Sequence, residues 1–175
     1  MHLYNLFEPY TNSGPDIISV SKTVGGENMV LKFKTVSLPL FAVYHRMFYK
    51  YNSAGKLVKI VPDNIIELMS PVTLAHLIMG DGNIKLHDGI IRIYTNSFSK
   101  EKVELLASSI TVKLNILTRV VHDRNNQYII TISKSQLSEI RNIILPYMHP
   151  TMYYKLGLEL SNSYAFDYEH IIRII

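Results

Sequence analysis

The pattern of apolar and polar positions divides the chain into short elements, and the most apolar of them lies near its middle. Leu74, Ala75, Leu77 and Ile78 follow Ser70-Pro71 almost without interruption and stop on Gly80-Asp81-Gly82. Ser70 is a good N-cap, and Pro71 fits the first helical position, where a missing N–H costs nothing. The spacing therefore predicts a helix that is apolar on most of its circumference and buried on several sides, with one carboxylate at its exit. Downstream, Asn83 to His87 and Ile90 to Thr95 read as strands around Asp88-Gly89, a strong hairpin signal. Ser99 is placed to cap a helix whose apolar positions 103, 106, 107, 110 and 114 keep one face. Leu117 to His122 and Tyr128 to Ser133 form another hairpin around Asn125-Asn126, and Ser135 caps a helix running to about Leu145. From Pro71 onward the order is helix, two strands, helix, two strands, helix.

The first part of the chain carries an echo of this pattern. Met1 to Tyr10 is short and apolar, the end of a helix, and Asn12-Ser13-Gly14-Pro15 breaks it off. Ile17 to Lys22 and Met29 to Lys34 read as strands around Gly25-Gly26. Leu38 to Tyr51 has a helical stripe at 40, 41, 43, 44, 47 and 48, ended by Asn52 to Gly55. Val61 to Ile65 is a connector with a short helical turn. Met29 to Thr35 and its following helix resemble Tyr128 to Lys134 and the helix before Pro146-Tyr147, and Lys59-Ile60-Val61-Pro62 stands where Tyr154-Lys155-Leu156 stands. Residues 15–65 read as the back half of one repeat, and 71–158 as a whole one. The expected organisation is a partial repeat over 1–70 lacking its own central helix, a complete repeat over 71–158, and a tail over 159–175. The expected fold is α+β, built on an αββαββα repeat whose antiparallel sheet forms a concave surface.

Composition narrows the chemistry. The chain has 175 residues, one domain's worth, and 47% of them are hydrophobic, enough for a real core. It has no Cys, which excludes disulfides, zinc–thiolate sites and a cysteine nucleophile. Its seven His show no metal-ligand spacing, so no zinc site is expected. Eighteen basic residues against 14 acidic ones make it mildly basic, which suits a polyanionic partner without specifying one. No apolar run reaches the roughly 18–20 residues of a membrane span, and neither a signal peptide nor a transit sequence opens the chain. No membrane partner is expected. Twelve Tyr, no Trp and many Ile, Asn and Lys suggest an AT-rich coding sequence, as in an organelle.

Three stretches then point one way. Leu74 to Gly82 resembles the LAGLIDADG motif of intron-encoded homing endonucleases and maturases, with Asp81 at the acidic position. Tyr94-Thr95-Asn96-Ser97-Phe98-Ser99 follows at the expected place. Leu145 to Leu156 is similar to the "LPYxHPSMxYKL" signature of the fungal mitochondrial branch, and the resemblance covers roughly residues 15 to 158. It departs at His76, where the motif has a small Gly that lets two helices pack closely.

The resemblance implies a DNA-cleaving homing endonuclease located in the mitochondrion. Its runner-up is an RNA-binding maturase or structural relative that no longer cuts. Phosphodiester cleavage needs charge neutralised on the phosphoryl group and a metal-activated water. By resemblance, Asp81 and Gly80 are ligands of Mg²⁺ or another divalent cation, Lys155 and Lys59 are the active-site lysines, Asn96 orders the water, and Lys100 is a nearby basic residue. The family works with two motif helices side by side, so Leu74, Ala75, Leu77 and Ile78 are expected at an interface with a second chain. A separately encoded chain giving a heterodimer is favoured, then a homodimer, then a partnerless relic.

Alternation proposes the nucleic-acid face, for double-stranded DNA or intron RNA. In Ile91 to Asn96 the polar set contains Arg92 and Tyr94 while 91 and 93 are apolar. Lys85 and His87 pair across the first hairpin, Lys32 and Lys34 repeat the pattern in the first half, and Ser133 ends the last strand. On the outer strand, alternation does not choose between Arg119 and His122; Arg119 is carried as the candidate.

Overall fold

A computed structural model of the chain describes residues 2–23, 26–124 and 127–159. The chain divides into two compact units, residues 1–46 and Met47 onward. In the first, α1 (His2–Phe7) runs into a 3₁₀ turn (Glu8–Tyr10), β1 (Asp16–Thr23) pairs antiparallel with β2 (Gly26–Lys32), and α2 (Pro39–Phe48) begins. Aromatic rings hold it together. Tyr4 meets Phe33 at 5.7 Å and Tyr10 meets Phe41 at 5.9 Å, both edge to face, with Phe7 between the two phenylalanines. Thr23 pairs with Gly26, so Gly26 belongs to the ladder; Val24 and Gly25 lie outside the described residues. The expected strand to Lys34 stops at Lys32, because Phe33 turns its ring into the aromatic cluster.

The second unit opens with a difference from expectation. Tyr49–Tyr51 is not the end of α2 but a strand, β3, antiparallel to β4 (Leu57–Lys59). Asn52 makes the turn, its Oδ1 accepting the N–H groups of Ala54 (3.1 Å) and Lys56 (2.9 Å). After α3 (Ile65–Leu68) come α4 (Pro71–Asp81), β5 (Gly82–Lys85), β6 (Ile90–Tyr94), α5 (Lys100–Leu114), β7 (Thr118–His122), β8 (Tyr128–Ile132) and α6 (Leu137–Ile144). Two 3₁₀ segments, Leu145–Tyr147 and Pro150–Leu156, follow. The four strands after α4 form one antiparallel sheet in the order β5-β6-β8-β7. The expected helix and strand order and the α+β class are both present. Residues 160–175, most of the expected tail, lie outside the described residues. Among those described, no helix is long and apolar enough to cross a membrane.

Local chemistry sets the element ends. Ser70 caps α4 as expected, its Oγ accepting the Thr73 N–H at 3.2 Å. Ser99 stands at the N-cap of α5, but its hydroxyl makes no cap bond. The Glu101 carboxylate, bonded by its own backbone N–H and then by the Ser99 hydroxyl, is held below the usual range. Ser133, not Ser135, is the N-cap of the 3₁₀ turn leading into α6, with the two hydroxyls 2.7 Å apart. Asn125 and Asn126 lie outside the described residues; Asp123 N–H donates to the Gln127 carbonyl at 2.7 Å to close that hairpin.

The core joins α4 (Leu74, Ala75, Ile78), the sheet (Ile84, Ile91, Ile93, Ile130, Ile132), α5 (Val103, Leu106, Ile110) and α6 (Ile140, Ile144). Val61, Ile65 and Met69 are buried in the same cluster, so the stretch before α4 packs with the second unit. Leu74, Ala75 and Ile78 have no exposed surface at all, being filled by the chain's own core. That corrects the expected interface: of its four residues only Leu77 keeps an accessible edge. At about 100° per residue, Val72, Thr73, His76, Leu77 and Gly80 occupy one arc of roughly 140°, and Val72 is 43% exposed. Asp81 borders that arc.

The α4–β5 junction admits only glycine. A Cβ on Gly82 would sit 2.6 Å from the Ile78 carbonyl oxygen and 2.8 Å from its Cα, backbone that cannot swing aside. Gly82→Ala is expected to lower stability by about 1–3 kcal/mol, the usual cost of an overpacked site. A thermal melt superimposable on the parent's would show that the junction yields.

Candidate functional site

Gly82 is paired with Ile93, so the α4–β5 junction and the β6–α5 loop lie at the same end of the sheet. Asp81 is exposed there. Lys155 arrives from the second 3₁₀ segment, whose docking is visible residue by residue. Met148 is buried, and the His149 N–H points at the Met79 sulfur at 3.3 Å. Arg141 on α6 donates from Nε (3.1 Å) and Nη2 (2.6 Å) to the Leu156 carbonyl, and Gly157 turns the chain at φ +69°. Lys155 Nζ is thereby delivered 2.7 Å from the Met79 carbonyl and 3.2 Å from that of Gly80. These belong to the last turn of α4, where carbonyls lack helical partners and carry partial negative charge. Burial pushes the Lys155 pKa below its ordinary value, and the charge of Asp81 opposes that shift.

The other candidates gather on the neighbouring loop. Thr95 is buried and donates to the Tyr128 carbonyl at 2.6 Å, which anchors the loop and leaves Asn96 exposed. Lys59 Nζ lies 5.9 Å from the Phe98 ring centroid. Lys100 is shared between Glu104 (3.6 Å) and the Tyr128 ring (5.8 Å to the centroid). Hydrogen bonds thus unite Lys155 with Met79 and Gly80, with the Asp81 charge near enough to act on the lysine, while Lys59, Asn96 and Lys100 lie on or against the β6–α5 loop and the start of α5. The Asp81 carboxylate and the Gly80 carbonyl are hard oxygen donors, the kind Mg²⁺ takes with one or two carboxylates and waters. Among the described residues, no three or more His, Cys, Asp or Glu side chains come together. Sequence reasoning missed Arg141 and Thr95. Thr95 lies inside a recognised motif, but nothing in the spacing of α6 singles out Arg141.

The sheet has one apolar and one polar face. Asn83, Arg92, Thr131 and Arg119 are register partners and form a row across all four strands. Ile84, Ile91, Ile93, Ile130 and Ile132 are buried behind them. Arg119 therefore shares the face of Arg92, whereas His122 has the other parity and packs on the Tyr128 ring at 5.5 Å. Tyr94 is exposed on the same face, and Lys85 lies at the opposite end, paired with Ile90. Three of the nucleic-acid candidates lie outside the strands. His87 belongs to the turn Leu86–Gly89, because the Lys85 carbonyl accepts the N–H groups of both Asp88 (3.1 Å) and Gly89 (2.8 Å) and ends β5. Ser133 follows β8 and is engaged with Ser135. Lys34 follows β2; it and Lys32 are exposed in the first unit, where they line a hollow with Ser13 and Asp16.

Asp88 bridges the basic pair at the turn. It is bonded by His87 Nδ1 at 2.5 Å and paired with Lys85, and these two contacts, in that order, pull its pKa from 3.8 to about 2. The folded value is the lower one. The associated stability is thus fully present above the ordinary carboxylate pKa and is lost as pH falls through about 2. A carboxylate-resolved NMR titration is expected to find that midpoint; an Asp88 titrating at 3.8 would mean the contacts are absent in solution.

Residues 1–140 match the family model described as "LAGLIDADG DNA endonuclease family". The chain is 35% identical over 133 residues to "Intron-encoded endonuclease ai4" of Dictyostelium discoideum, covering 73% of this chain and 77% of that protein. It is 33% identical over 130 residues to "Cytochrome b mRNA maturase bI2" of Saccharomyces cerevisiae, covering 73% of this chain and 30% of that one. Among solved structures, the homing endonuclease I-WcaI bound to its DNA recognition sequence superposes with a TM-score of 0.77. The identity there is 23%, over 91% of this chain and 70% of that one.

Proposed function

The chain belongs to the LAGLIDADG DNA endonuclease family, and from that premise we propose that it is a site-specific DNA endonuclease of intron homing. It hydrolyses phosphodiester bonds with Mg²⁺ or another divalent cation, as one half of a heterodimer. The observation that carries this reading is the meeting of Lys155 with the Asp81 end of α4, beside a sheet face bearing Arg92 and Arg119.

Asp81 and Gly80 hold the cation, which when bound neutralises phosphoryl charge and activates water. Lys155, and Lys59 in the equivalent place of the first repeat, hold the scissile phosphate oxygens. Asn96 orders the attacking water, and Lys100 adds positive charge beside it. The row Asn83-Arg92-Thr131-Arg119 lies in the major groove, where guanidinium groups read guanine edges or hold phosphates, with Lys85, His87, Tyr94 and Ser133 around it; in the first unit, Lys32 at the end of β2 and Lys34 beyond it are separate candidates for nucleic-acid contact. Arg92→Ala is expected to weaken binding by about 1–3 kcal/mol if Arg92 reads a base; equal losses on target and unrelated DNA would make it a phosphate contact.

The open arc of α4 supports the partner. Val72 and Leu77 offer a second motif helix an apolar edge and Gly80 a place of close backbone approach, with His76 standing between them where the motif has a small Gly, and a separately encoded chain supplying that helix completes the pair of acids. Similarity to a cytochrome b maturase supports mitochondrial location and a second reading, an intron RNA maturase that does not cut. One experiment separates the two: the protein, alone and with its neighbouring reading frame, incubated with Mg²⁺ and DNA spanning the intron insertion site. Double-strand cleavage is expected. Tight intron-RNA binding without cleavage would replace the endonuclease reading.

A further inference from the structure

The hydrogen bonds of Lys155 run to backbone carbonyls, not to the nearby carboxylate. Its Nζ takes the Met79 oxygen at 2.7 Å and the Gly80 oxygen at 3.2 Å. The preceding carbonyl, Ile78, is already taken by the Gly82 N–H. The ammonium thus sits on two open carbonyls at the negative end of α4, beside an exposed carboxylate. A cation held by Asp81 and Gly80 needs the same Gly80 oxygen, and two positive charges on one carbonyl repel strongly.

We infer that Lys155 is the resident counter-cation of this site: in the metal-free protein its ammonium occupies the Gly80 carbonyl, and a divalent ion binds by displacing it. The inference rests on reading Asp81 and Gly80 as the metal ligands. It makes Lys155 a positioning residue that sets how readily the site loads, apart from any contact with the phosphate. Its sign is distinctive. If the lysine merely braced the site, removing it would loosen α4 and weaken metal binding. If it competes, removing it strengthens metal binding.

The test is a titration with Mn²⁺, without nucleic acid, of the full chain assembled with the chain of its neighbouring reading frame, followed by electron paramagnetic resonance, for the parent, Lys155→Met and Asp81→Asn. Lys155→Met is expected to bind Mn²⁺ about tenfold more tightly, the order expected from removing one adjacent charge, and Asp81→Asn to lose binding. Unchanged or weaker binding by Lys155→Met, with binding lost in Asp81→Asn, overturns the counter-cation while the site assignment stands. Binding undiminished in Asp81→Asn, or absent in the parent, overturns the site assignment and the inference with it. If Lys155→Met fails to fold, Lys155→Gln keeps a donor for the carbonyls without the charge and is read the same way. In the unaltered protein, the Lys155 Nζ resonance is expected to shift as Mg²⁺ is added; a resonance that stays fixed while Mg²⁺ binds also overturns displacement.

Discussion

Asp81→Asn is expected to remove metal-dependent cleavage while leaving the chain folded and its DNA affinity within a few-fold. The residue is exposed. Its negative charge stands at the C-terminal end of α4, where the helix dipole disfavours it, so its loss does not weaken the helix. Most affinity for a nucleic acid comes from phosphate contacts spread over the interface, and those candidates lie on the sheet. Cleavage should fall by at least about 10²–10³-fold, the order that follows loss of a single preorganised electrostatic group. The measurements are a cleavage time course, a binding titration and a thermal melt on the same preparation. An unfolded variant would make Asp81 structural and displace the catalytic reading altogether.

Gly80→Leu is the complementary test, because it leaves the chain alone and attacks what docks on it. A Cβ at Gly80 meets nothing within 4 Å and the residue is exposed, so a side chain starts there into open space. Replacing Gly inside a helix favours the helix by roughly 0.5–1 kcal/mol, so stability should hold or rise. On the open arc, however, Leu stands where a second motif helix needs a small residue for close backbone approach. Assembly and cleavage should drop together, by about 100-fold or more if several buried contacts are lost. Analytical ultracentrifugation with the partner frame reads the first, and a cleavage assay the second. Undiminished assembly would place the partner on another face.

The sequence made some of this legible and hid the rest for identifiable reasons. α4 was readable because cap, first-turn proline, apolar run and terminal glycine all agree. The four strands of the sheet were readable because polar and apolar positions alternate over a single buried face. β3 was hidden because Tyr49 and Tyr51 continue the apolar and aromatic run of α2, and only the Asn52 turn separates the two. Nor did composition reveal which side of α4 is occupied: Leu74 and Leu77 are chemically alike, yet one fills the core and the other borders the open arc. Strand ends at Lys85 and Lys32 depended on where a carbonyl accepts a turn bond or a ring finds a partner. Lys155 was identified by its signature, whereas the Arg141 clamp that holds its segment follows only from three-dimensional packing.

Lys155 reaches the end of α4 from 76 residues further along the chain. During synthesis, α4 and the sheet leave the ribosome well before the lysine does. Domains fold as units, however, and the core that α4 shares with the sheet also takes in Ile140, Ile144 and Leu156, so the sheet face is completed together with the segment that carries Lys155. A chain that stops between α6 and Lys155 lacks the buried Leu156 and the carbonyl that Arg141 clamps as well as the lysine, so early termination costs the core and the site at once.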